Sequence, residues 1–438
     1  MQQTVTLTPP RAAAPPDIDV HDIRDAADAG FSRAPRTLRT LAGARPRVVF
    51  AANTAWYLHN YYRNTLAAFR DAGWDVHVLC PGDANSRKLE ALGCRHTELP
   101  LIPSSKNPFR EARALTTFLR VYRALRPQVA FHFTVKCNLY GGFAASRLGI
   151  PHANNVAGLG SAFGREGWLN TAVGLVYGLT QRRSGRVFFQ NPADMEFMRA
   201  RGLVRDDQAV LLPGSGVDLE HFRPRPFVPA RERLATGAEA APGFRFVFAG
   251  RLLREKGLAE LAEAMRSLRA RGDDAHCDVY GFLDARDARY VTRAELAAWE
   301  TEGLLRYAGP LEDVRAAYDT ADCVVLPTYY REGIPKSLLE AAAMGKPLIT
   351  TDQTGCREAV LDEYNGFLCK PRDARELALA MARMRDASPE ARARLGANGR
   401  RLVESRFSEA HIIGKYLDAA RLLANHTLSA SATLTSAG

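Results

Sequence analysis

Two series of strand-like segments, each separated by helix-like segments, constrain the fold of this chain most strongly. The first series begins with RVVFAAN at Arg47 and ends with AVLLPGSGVD at Asp218. The second begins with FRFVFAG at Phe244 and ends with GFLCKP at Pro371. Strands that alternate with helices form parallel sheets covered by helices on both faces. The sequence therefore predicts an α/β protein with two doubly wound, Rossmann-like units of similar size.

Changes in composition predict the boundaries of these units. The first residues are rich in Ala, Pro and Arg and lack hydrophobic periodicity, which is typical of disorder. Three prolines, Pro224, Pro226 and Pro229, interrupt the alternation and indicate an interdomain connection. The predicted organisation is a disordered leader at 1–45, an N-terminal domain at 46–225, a C-terminal domain at 226–405, a helix at 406–424 that packs back toward the N-terminal domain, and a disordered tail at 425–438.

Composition and charge narrow the class of protein and its compartment. No segment approaches the roughly 18 consecutive apolar residues of a membrane-spanning helix, and the N-terminal segment lacks the apolar core of a secretory signal. The seven cysteines are scattered and never spaced as C-x-x-C, which is typical of reduced thiols in the cytoplasm. The net charge of +11 suits nucleic acid, anionic lipid or phosphate-bearing ligands. Because the chain has no nucleic-acid-binding motif, no nucleic acid partner is expected.

The segment REGIPKSLLEAAAMG, which begins at Arg331, predicts an anion site beside two acids. Pro335 suits a first helical position, and the first-turn amides with the Ser337 hydroxyl attract phosphate. Phosphate would repel Glu332 and Glu340, but ionised carboxylates accept hydrogen bonds from neighbouring sugar hydroxyls. A nucleotide sugar carries such hydroxyls on both sides of its diphosphate. We therefore expect a nucleotide-sugar site in the cleft where the carboxyl ends of the two sheets face each other.

Two basic residues supply the counter-charge that this ligand requires. In FAGRLLREKG, Arg251 and Lys256 follow the first strand of the second unit and can neutralise a departing diphosphate. Taken alone, these two residues could equally belong to a solvent-exposed basic helix start that binds no ligand. Their expected position near the same cleft as Glu332 and Glu340 favours the functional interpretation.

These motifs resemble those of a known family. GRLLREKG at 250–257 and EGIPKSLLEAAAMGKP at 332–347 are similar to the retaining glycosyltransferases of family 4, which have the GT-B fold. The E-x7-E spacing of Glu332 and Glu340 is the hallmark of that family. The resemblance extends over most of residues 46–424.

The resemblance implies a role for each matched residue. Arg251 and Lys256 would hold the diphosphate, Glu332 the donor hexose and Glu340 the ribose, while the N-terminal domain would bind the acceptor. The expected catalytic residues are Arg251, Lys256, Glu332 and His132, and the expected donor-binding residues are Gly250, Gly281, Gly333, Ile334, Pro335, Ser337, Leu338 and Glu340. The resemblance also implies a front-face mechanism in which the departing phosphate takes the acceptor proton, without a metal ion or another cofactor.

The acceptor side of the cleft leaves two interpretations open. FHFTVKCN places His132 at the end of a strand where relatives often carry a histidine near the reacting sugar. A strand histidine is by default a hydrogen-bonded core residue, and Lys136 is the alternative residue that faces the substrate.

Further segments, including FFQNPADMEFM and GFLDARD, are similar to bacterial transferases that build capsule, O-antigen and lipid-linked glycans. The wording of these segments also resembles N-acetylgalactosaminyltransferases that act on polyprenyl-diphosphate-linked acceptors. The resemblance implies transfer of a hexose or N-acetylhexosamine from a nucleotide sugar, with uridine as the expected base.

Two segments favour contact with a membrane surface. GREGWLNTAVGLVYGLTQRRSGR at 164–186 combines an apolar stripe with a basic end, and NPFREARALTTFLRVYRALRP at 107–127 adds arginines and aromatic residues. Such helices can lie on an anionic membrane, although a core-facing helix explains the apolar stripe as well. The expected location is cytoplasmic and peripheral, at the inner face of the cytoplasmic membrane.

Other function classes fit a two-domain cleft. A nucleotide-sugar epimerase lacks the E-x7-E arrangement, and a glycogen-type phosphorylase needs a much longer chain. A non-catalytic nucleotide-sugar-binding protein would share the binding residues. Release of the nucleotide that depends on an acceptor distinguishes a transferase from these alternatives.

Overall fold

The computed structural model describes the chain from residue 45 to residue 435, apart from 104, 106, 159–176, 225–242, 286 and 332. Two parallel β-sheets form its framework, one of seven strands and one of six. The predicted fold class, two Rossmann-like doubly wound sheets, is therefore confirmed. Most of the predicted leader and of the interdomain connection lies outside the described residues, and the domain boundaries stay predictions.

The first sheet is built from strands of the N-terminal half. These are β1 Arg47–Ala51, β2 Asp75–Cys80, β3 Arg95–Glu98, β4 Val129–Phe133, β5 His152–Val156, β6 Arg186–Phe189 and β7 Ala209–Leu211. Their spatial order is β3-β2-β1-β4-β5-β6-β7, and each adjacent pair is parallel. Because the direction of the connections reverses between β1 and β4, the switch point of this sheet lies between these strands.

Aromatic packing explains why β1 and β4 lie at the centre of the first sheet. Phe50 on β1 stacks on Phe131 of β4 with ring centroids 5.2 Å apart, and Phe69 packs edge-on against Phe50 at 5.1 Å. All three side chains are fully buried. The surrounding helices are α1 Ala55–Asp71, α2 Ser86–Ala91, α3 Pro108–Leu125, α4 Val135–Arg147 and α5 Pro192–Ala200.

The second sheet repeats the scheme with six strands. These are β8 Phe244–Ala249, β9 Ala275–Tyr280, β10 Arg306–Gly309, β11 Cys323–Leu326, β12 Leu348–Thr351 and β13 Gly366–Cys369, in the order β10-β9-β8-β11-β12-β13. The helices are α6 Leu258–Ala270, α7 Arg293–Thr301, α8 Arg315–Thr320, α9 Lys336–Ala343, α10 Cys356–Ala359, α11 Ala374–Asp386 and α12 Pro389–Arg406. The switch point of this sheet lies between β8 and β11.

The last helix, α13 Glu409–Thr435, contacts the first domain. The buried Tyr416 donates its hydroxyl hydrogen to Asn155 Oδ1, and its ring lies edge-on to Phe188 at 5.1 Å. The sequence predicts a disordered tail from residue 425, whereas the structure continues the helix to Thr435. The segment NHTLSASATLT contains neither Gly nor Pro, so nothing in it breaks a helix. Within the described ranges, no helix combines the length and the apolarity that crossing a bilayer requires.

Candidate active site

The carboxyl edge of the second sheet brings the two sequence motifs together. Arg251 and Lys256 lie in the segment that leaves β8, and α9, which carries Glu340, follows β11. These strands are neighbours in the sheet but distant in sequence, so a crevice opens between the connections that leave them in opposite directions. Ligands of open α/β sheets bind in such a crevice. The predicted donor-binding residues that follow β8 and β11 therefore share the switch point of the second sheet, whereas Gly281 follows the neighbouring strand β9.

The turn that carries Lys256 is fixed to the segment that leaves β11. Arg254–Lys256 form a short 3-10 helix, and the carbonyl oxygen of Glu255 accepts hydrogen bonds from Tyr329 N at 2.9 Å and Thr328 Oγ1 at 3.2 Å. Gly257 has a φ of +79°, and a Cβ there would overlap the carbonyl group of Pro327. Only glycine permits this approach. Lys256 is 6% exposed, whereas Arg251 is exposed at the surface of the crevice.

Two predicted donor-binding glycines lie in backbone contact at the ends of adjacent strands. Gly250 follows β8 and Gly281 follows β9, and a Cβ on Gly281 would overlap the carbonyl oxygen of Gly250. Gly281 N donates to Gly309 O at 3.0 Å, and the Tyr307 hydroxyl donates to Gly281 O at 3.0 Å. These bonds fix the backbone at the place where the sequence predicts the nucleotide base.

Helix α9 begins where the sequence predicts it, at Lys336, directly after Pro335. Among the described residues, no side chain caps this end of the helix. Ile334 and Leu338 are buried, so they can offer only backbone groups to a ligand. Ser337 is half-buried, and its carbonyl oxygen accepts a hydrogen bond from the Tyr318 hydroxyl at 3.2 Å. An uncapped helix start with a nearby hydroxyl suits a phosphate group.

Glu340 lies one turn into α9 and is only partly accessible. Burial raises the pKa of its carboxyl group to about 7, although the nearby Lys336 and Arg63 act in the opposite direction. A carboxylate in this place needs hydrogen-bond donors, which a pair of ribose hydroxyls would provide. Its predicted partner Glu332 lies outside the described residues.

The start of α9 also contacts the first domain. Gly333 N donates to Ala157 O at 2.9 Å, directly after β5, and Lys336 Nζ donates to Asn60 O on α1 at 2.9 Å. A Cβ on Gly333 would overlap the side-chain oxygen of Gln190, which follows β6. The predicted donor site therefore faces the carboxyl edge of the first sheet.

His132 lies in the core of the first domain. It is fully buried on β4, where Nδ1 lies 2.7 Å from Asn154 Oδ1 and Nε2 lies 2.8 Å from the Tyr122 hydroxyl. Because the amide oxygen can only accept, Nδ1 carries the hydrogen and Nε2 accepts from the tyrosine. Burial, followed by the nearby His152, lowers the pKa of His132 to about 3. The structure corrects the expectation that His132 faces the substrate, since both ring nitrogens are bonded within the core.

Lys136, the alternative acceptor-side residue, forms hydrogen bonds with the loop before α3 and with Glu111 on that helix. Its Nζ donates to Ile102 O at 2.9 Å, to Ser105 O at 2.7 Å and to Glu111 Oε1 at 2.8 Å. The Tyr140 hydroxyl donates to the other oxygen of Glu111 at 2.7 Å. Lys136 therefore fixes the segment that leads into α3.

Two family models match this chain, and the matches follow the two sheets. Residues 58–214 match the glycosyl transferase 4-like domain, and residues 237–402 match the glycosyl transferases of group 1. Together these matches cover about three quarters of the chain. The chain belongs to the group 1 glycosyltransferases. The predicted family and enzyme class are thus confirmed.

The relatives of this glycosyltransferase include enzymes of bacterial glycan assembly. It is 26% identical over 340 residues to the N,N'-diacetylbacillosaminyl-diphospho-undecaprenol alpha-1,3-N-acetylgalactosaminyltransferase of Campylobacter jejuni. This match covers 76% of this chain and 87% of the relative. It is 26% identical to the putative glycosyltransferase EpsD of Bacillus subtilis, over 85% of this chain and 95% of that one. The structure of HepE from Anabaena in complex with UDP and glucose superimposes with a TM-score of 0.70 at 18% identity, covering 88% of this chain and 100% of HepE. The transferase therefore shares the GT-B fold.

The sequence interpretation noted Thr134 beside His132 but did not predict its conformation at the switch point of the first sheet. Thr134 follows β4 and has φ 72° and ψ 155°, a conformation that β-branched residues rarely adopt. Strained backbone of this kind concentrates at functional sites. A glycine would have signalled the conformation in the sequence, whereas a threonine gives no such signal. The strained backbone at this switch point is therefore a feature that only the structure reveals.

Replacement of Glu340 by glutamine is expected to stabilise the transferase at high pH. The folded state holds the Glu340 pKa at about 7, above the ordinary value of 4.5, so the folded protein binds the proton more tightly than the unfolded chain. Stability is lost as the pH rises from about 4.5 to about 7, and glutamine removes this loss. We expect a gain of about 1 to 3 kcal/mol in the free energy of unfolding at about pH 8 and little change at about pH 4.5.

Urea unfolding across this pH range measures the effect. Glu90→Gln, an exposed position on α2, is the control, for which we expect no pH-dependent gain. If Glu340→Gln gained the same free energy of unfolding at both ends of the pH range, the gain would not come from ionisation of a buried Glu340.

Proposed function

We propose that the protein is a retaining glycosyltransferase that moves a hexose or N-acetylhexosamine from a UDP-sugar to a polyprenyl-diphosphate-linked glycan in bacterial surface polysaccharide biosynthesis. The observation that carries the proposal is the shared switch point of the second sheet. There the hydrogen bond from Tyr329 N to Glu255 O joins the Arg251–Lys256 segment to the connection that runs from β11 to the start of α9. Cations and helix amides at one crevice suit a diphosphate whose negative charge grows during transfer.

Each end of the proposed donor has a chemically matched residue. Glu340, beyond the first turn of α9, would accept hydrogen bonds from the ribose hydroxyls. Glu332, before the helix, would accept from the hexose, and the base would lie against Gly281. The expected base is uridine, which agrees with the UDP complex of the structurally similar HepE.

The proposed reaction takes place on one face of the sugar. The acceptor hydroxyl oxygen forms a bond to the anomeric carbon as the bond from that carbon to the phosphate oxygen breaks. The departing phosphate takes the acceptor proton, and the charge that remains on the diphosphate is stabilised by Arg251 and Lys256. We propose that these side chains replace a metal ion, so transfer proceeds in the presence of a chelator.

A donor panel tests the proposed function. Purified protein is mixed with UDP-, GDP- and ADP-sugars, and binding is measured by calorimetry while nucleotide release is followed with and without a polyprenyl-diphosphate-linked acceptor. We expect one UDP-sugar to bind and to release UDP only with acceptor, with the same rate in EDTA, and the product to keep the anomeric configuration of the donor. Binding without release would favour the non-catalytic alternative, and an inverted product would contradict the front-face mechanism.

A basic face on α3 supports a peripheral location at an anionic membrane. Phe109, Arg113, Arg120 and Arg123 recur at helical spacing and are all exposed, with Phe109 84% accessible. The opposite side of α3 is apolar and packs into the core through Ala114, Phe118 and Tyr122. The segment at 107–127 thus has a core face and a separate basic face, whereas most of the segment at 164–186 lies outside the described residues. A lipid-linked acceptor is held in the membrane, so an enzyme that uses it would meet its substrate at the membrane surface.

We expect reversal of charge on the α3 basic face to weaken membrane binding. Arg113→Glu with Arg120→Glu should lower the affinity for vesicles of phosphatidylglycerol by about 10-fold or more in about 0.1 M salt, since each basic residue near an anionic surface contributes about 1 kcal/mol. Vesicle flotation measures the affinity. The matched control, Arg293→Glu with Arg394→Glu, makes the same change of net charge at exposed positions on α7 and α12. Equal losses in both double variants would show that net charge, and not this face, sets the binding.

A further inference from the structure

An ion pair between the two domains lies beside the predicted donor-sugar residue. Arg331 directly precedes Glu332, and its Nε and Nη2 both donate to Asp194 Oδ1, at 2.9 and 2.6 Å. Asp194 belongs to α5 of the first domain, whereas Arg331 belongs to the segment between β11 and α9. The contact therefore joins a side chain of one domain to the loop that carries the donor-binding motif of the other.

The surroundings of the Asp194 carboxylate favour its negative charge and orient it toward Arg331. It is fully buried in the first turn of α5, where the helix start favours negative charge. Its second oxygen accepts from Asn191 Nδ2 at 3.0 Å, and its own N–H donates to Asn191 Oδ1 at 2.7 Å. Asn191 thus fixes the orientation of Asp194 and leaves Oδ1 directed at Arg331. A buried carboxylate held in this way is unfavourable without a cation.

The first domain holds the loop before α9 through two of its described residues. Arg331 is bonded to Asp194, and Gly333 N donates to Ala157 O at 2.9 Å. The two bonds hold Arg331 and Gly333, so they restrict the loop that leads into α9. Because both partners belong to the first domain, separation of the domains would release the loop.

We infer that Arg331 and Asp194 are a positioning pair, which holds the loop before α9 against the first domain and so orients the start of α9 toward the donor. The assignment of the donor site to this loop rests on the proposed function, whereas the interdomain pair itself does not. Nucleotide binding alone uses groups of the second domain, so loss of the pair should affect transfer more than it affects binding of UDP. Formation of the pair would thereby link contact between the domains to catalysis.

A double-mutant cycle tests the inference. Arg331→Met and Asp194→Asn are each expected to lower kcat by about 10-fold to 100-fold and to change the Kd for UDP by less than about twofold. The double variant should be no slower than the slower single variant, because each substitution removes the same interaction. Arg331→Lys, which keeps the charge but offers a single donor group, should recover part of kcat. The control is Arg201→Met: Arg201 lies over the Phe197 ring at 3.7 Å, and Arg331 approaches the same ring at 5.6 Å, so this variant tests the ring contact without the ion pair.

Two kinds of result would overturn the inference. Independent, additive losses would show that the residues act separately, and a large rise in the UDP Kd for Arg331→Met alone would show that Arg331 contacts the nucleotide directly. Hydrogen exchange of residues 327–338 needs no substrate and separates this inference from the proposed function. Exchange there should increase in both single variants, and unchanged exchange in both would refute the pair whatever reaction the protein catalyses. An inactive wild type with the expected exchange would instead refute only the proposed function.

Discussion

Replacement of Lys256 by alanine is expected to lower kcat for sugar transfer by about 100-fold or more. The proposed role of Lys256 is to stabilise the charge that develops on the departing diphosphate, so the lost interaction is one that strengthens in the transition state. Its position favours a strong effect, because Lys256 is 6% exposed and an ionic interaction gains strength away from bulk water. Steady-state kinetics with the UDP-sugar found in the donor panel measure the change.

Two companion variants separate catalysis from packing. Lys256→Met keeps most of the apolar stem and should lose as much kcat as alanine while unfolding closer to the wild-type temperature. Arg254→Ala is the matched control on the same 3-10 turn, where Arg254 forms an exposed ion pair with Glu295 at 2.6 Å, and it should keep kcat within about twofold. Wild-type turnover in both Lys256 variants would remove this residue from the proposed mechanism. Glu332→Ala should cause a comparable loss if the predicted contact with the donor hexose is correct.

The fold could be predicted because its signal is periodic and local. The residues of the segments RVVFA and FRFVFA are enough to predict buried strands. The alternation of such strands with helices restricts them to parallel sheets. The start of α9 was predictable to within one residue: Pro335 was expected at the first helical position, and it lies at the N-cap directly before Lys336. Arg251, Lys256 and Glu340 then lie at one crevice because the switch point follows from the strand order.

The acceptor side could not be predicted in the same way, since it depends on tertiary partners. The sequence around His132 does not show that Tyr122 and Asn154 occupy both of its ring nitrogens. Neither does it show that Asp194, far from Arg331 in the chain, reaches the loop before α9. A single sequence carries the pattern of each element but not the pairing of polar side chains across elements. The residues that connect the two domains therefore emerge only from the structure.

Replacement of Gly333 by alanine is expected to lower kcat by about 10-fold to 100-fold, because it disturbs the contact between the domains at the predicted donor site. A Cβ at this position would lie 2.9 Å from Ala157 O and would overlap the side-chain oxygen of Gln190. The glutamine side chain can rotate away. The carbonyl group cannot, since it directly follows β5 and already accepts the hydrogen bond from Gly333 N. The loop that carries Glu332 must therefore shift, and a misplacement of about 1 Å can reduce a rate by about 100-fold.

A second substitution identifies which neighbour causes the loss. Gln190→Ala added to Gly333→Ala removes the flexible obstacle and leaves the carbonyl group, so we expect only partial recovery of kcat. Gly414→Ala is the control, because a Cβ on this glycine of α13 has no atom within 4 Å, and it should keep full activity and gain about 0.5 to 1 kcal/mol in stability. Full recovery in the double variant would mean that the loop tolerates the approach to Ala157. Full activity in Gly333→Ala alone would mean that transfer does not require the close contact between the domains.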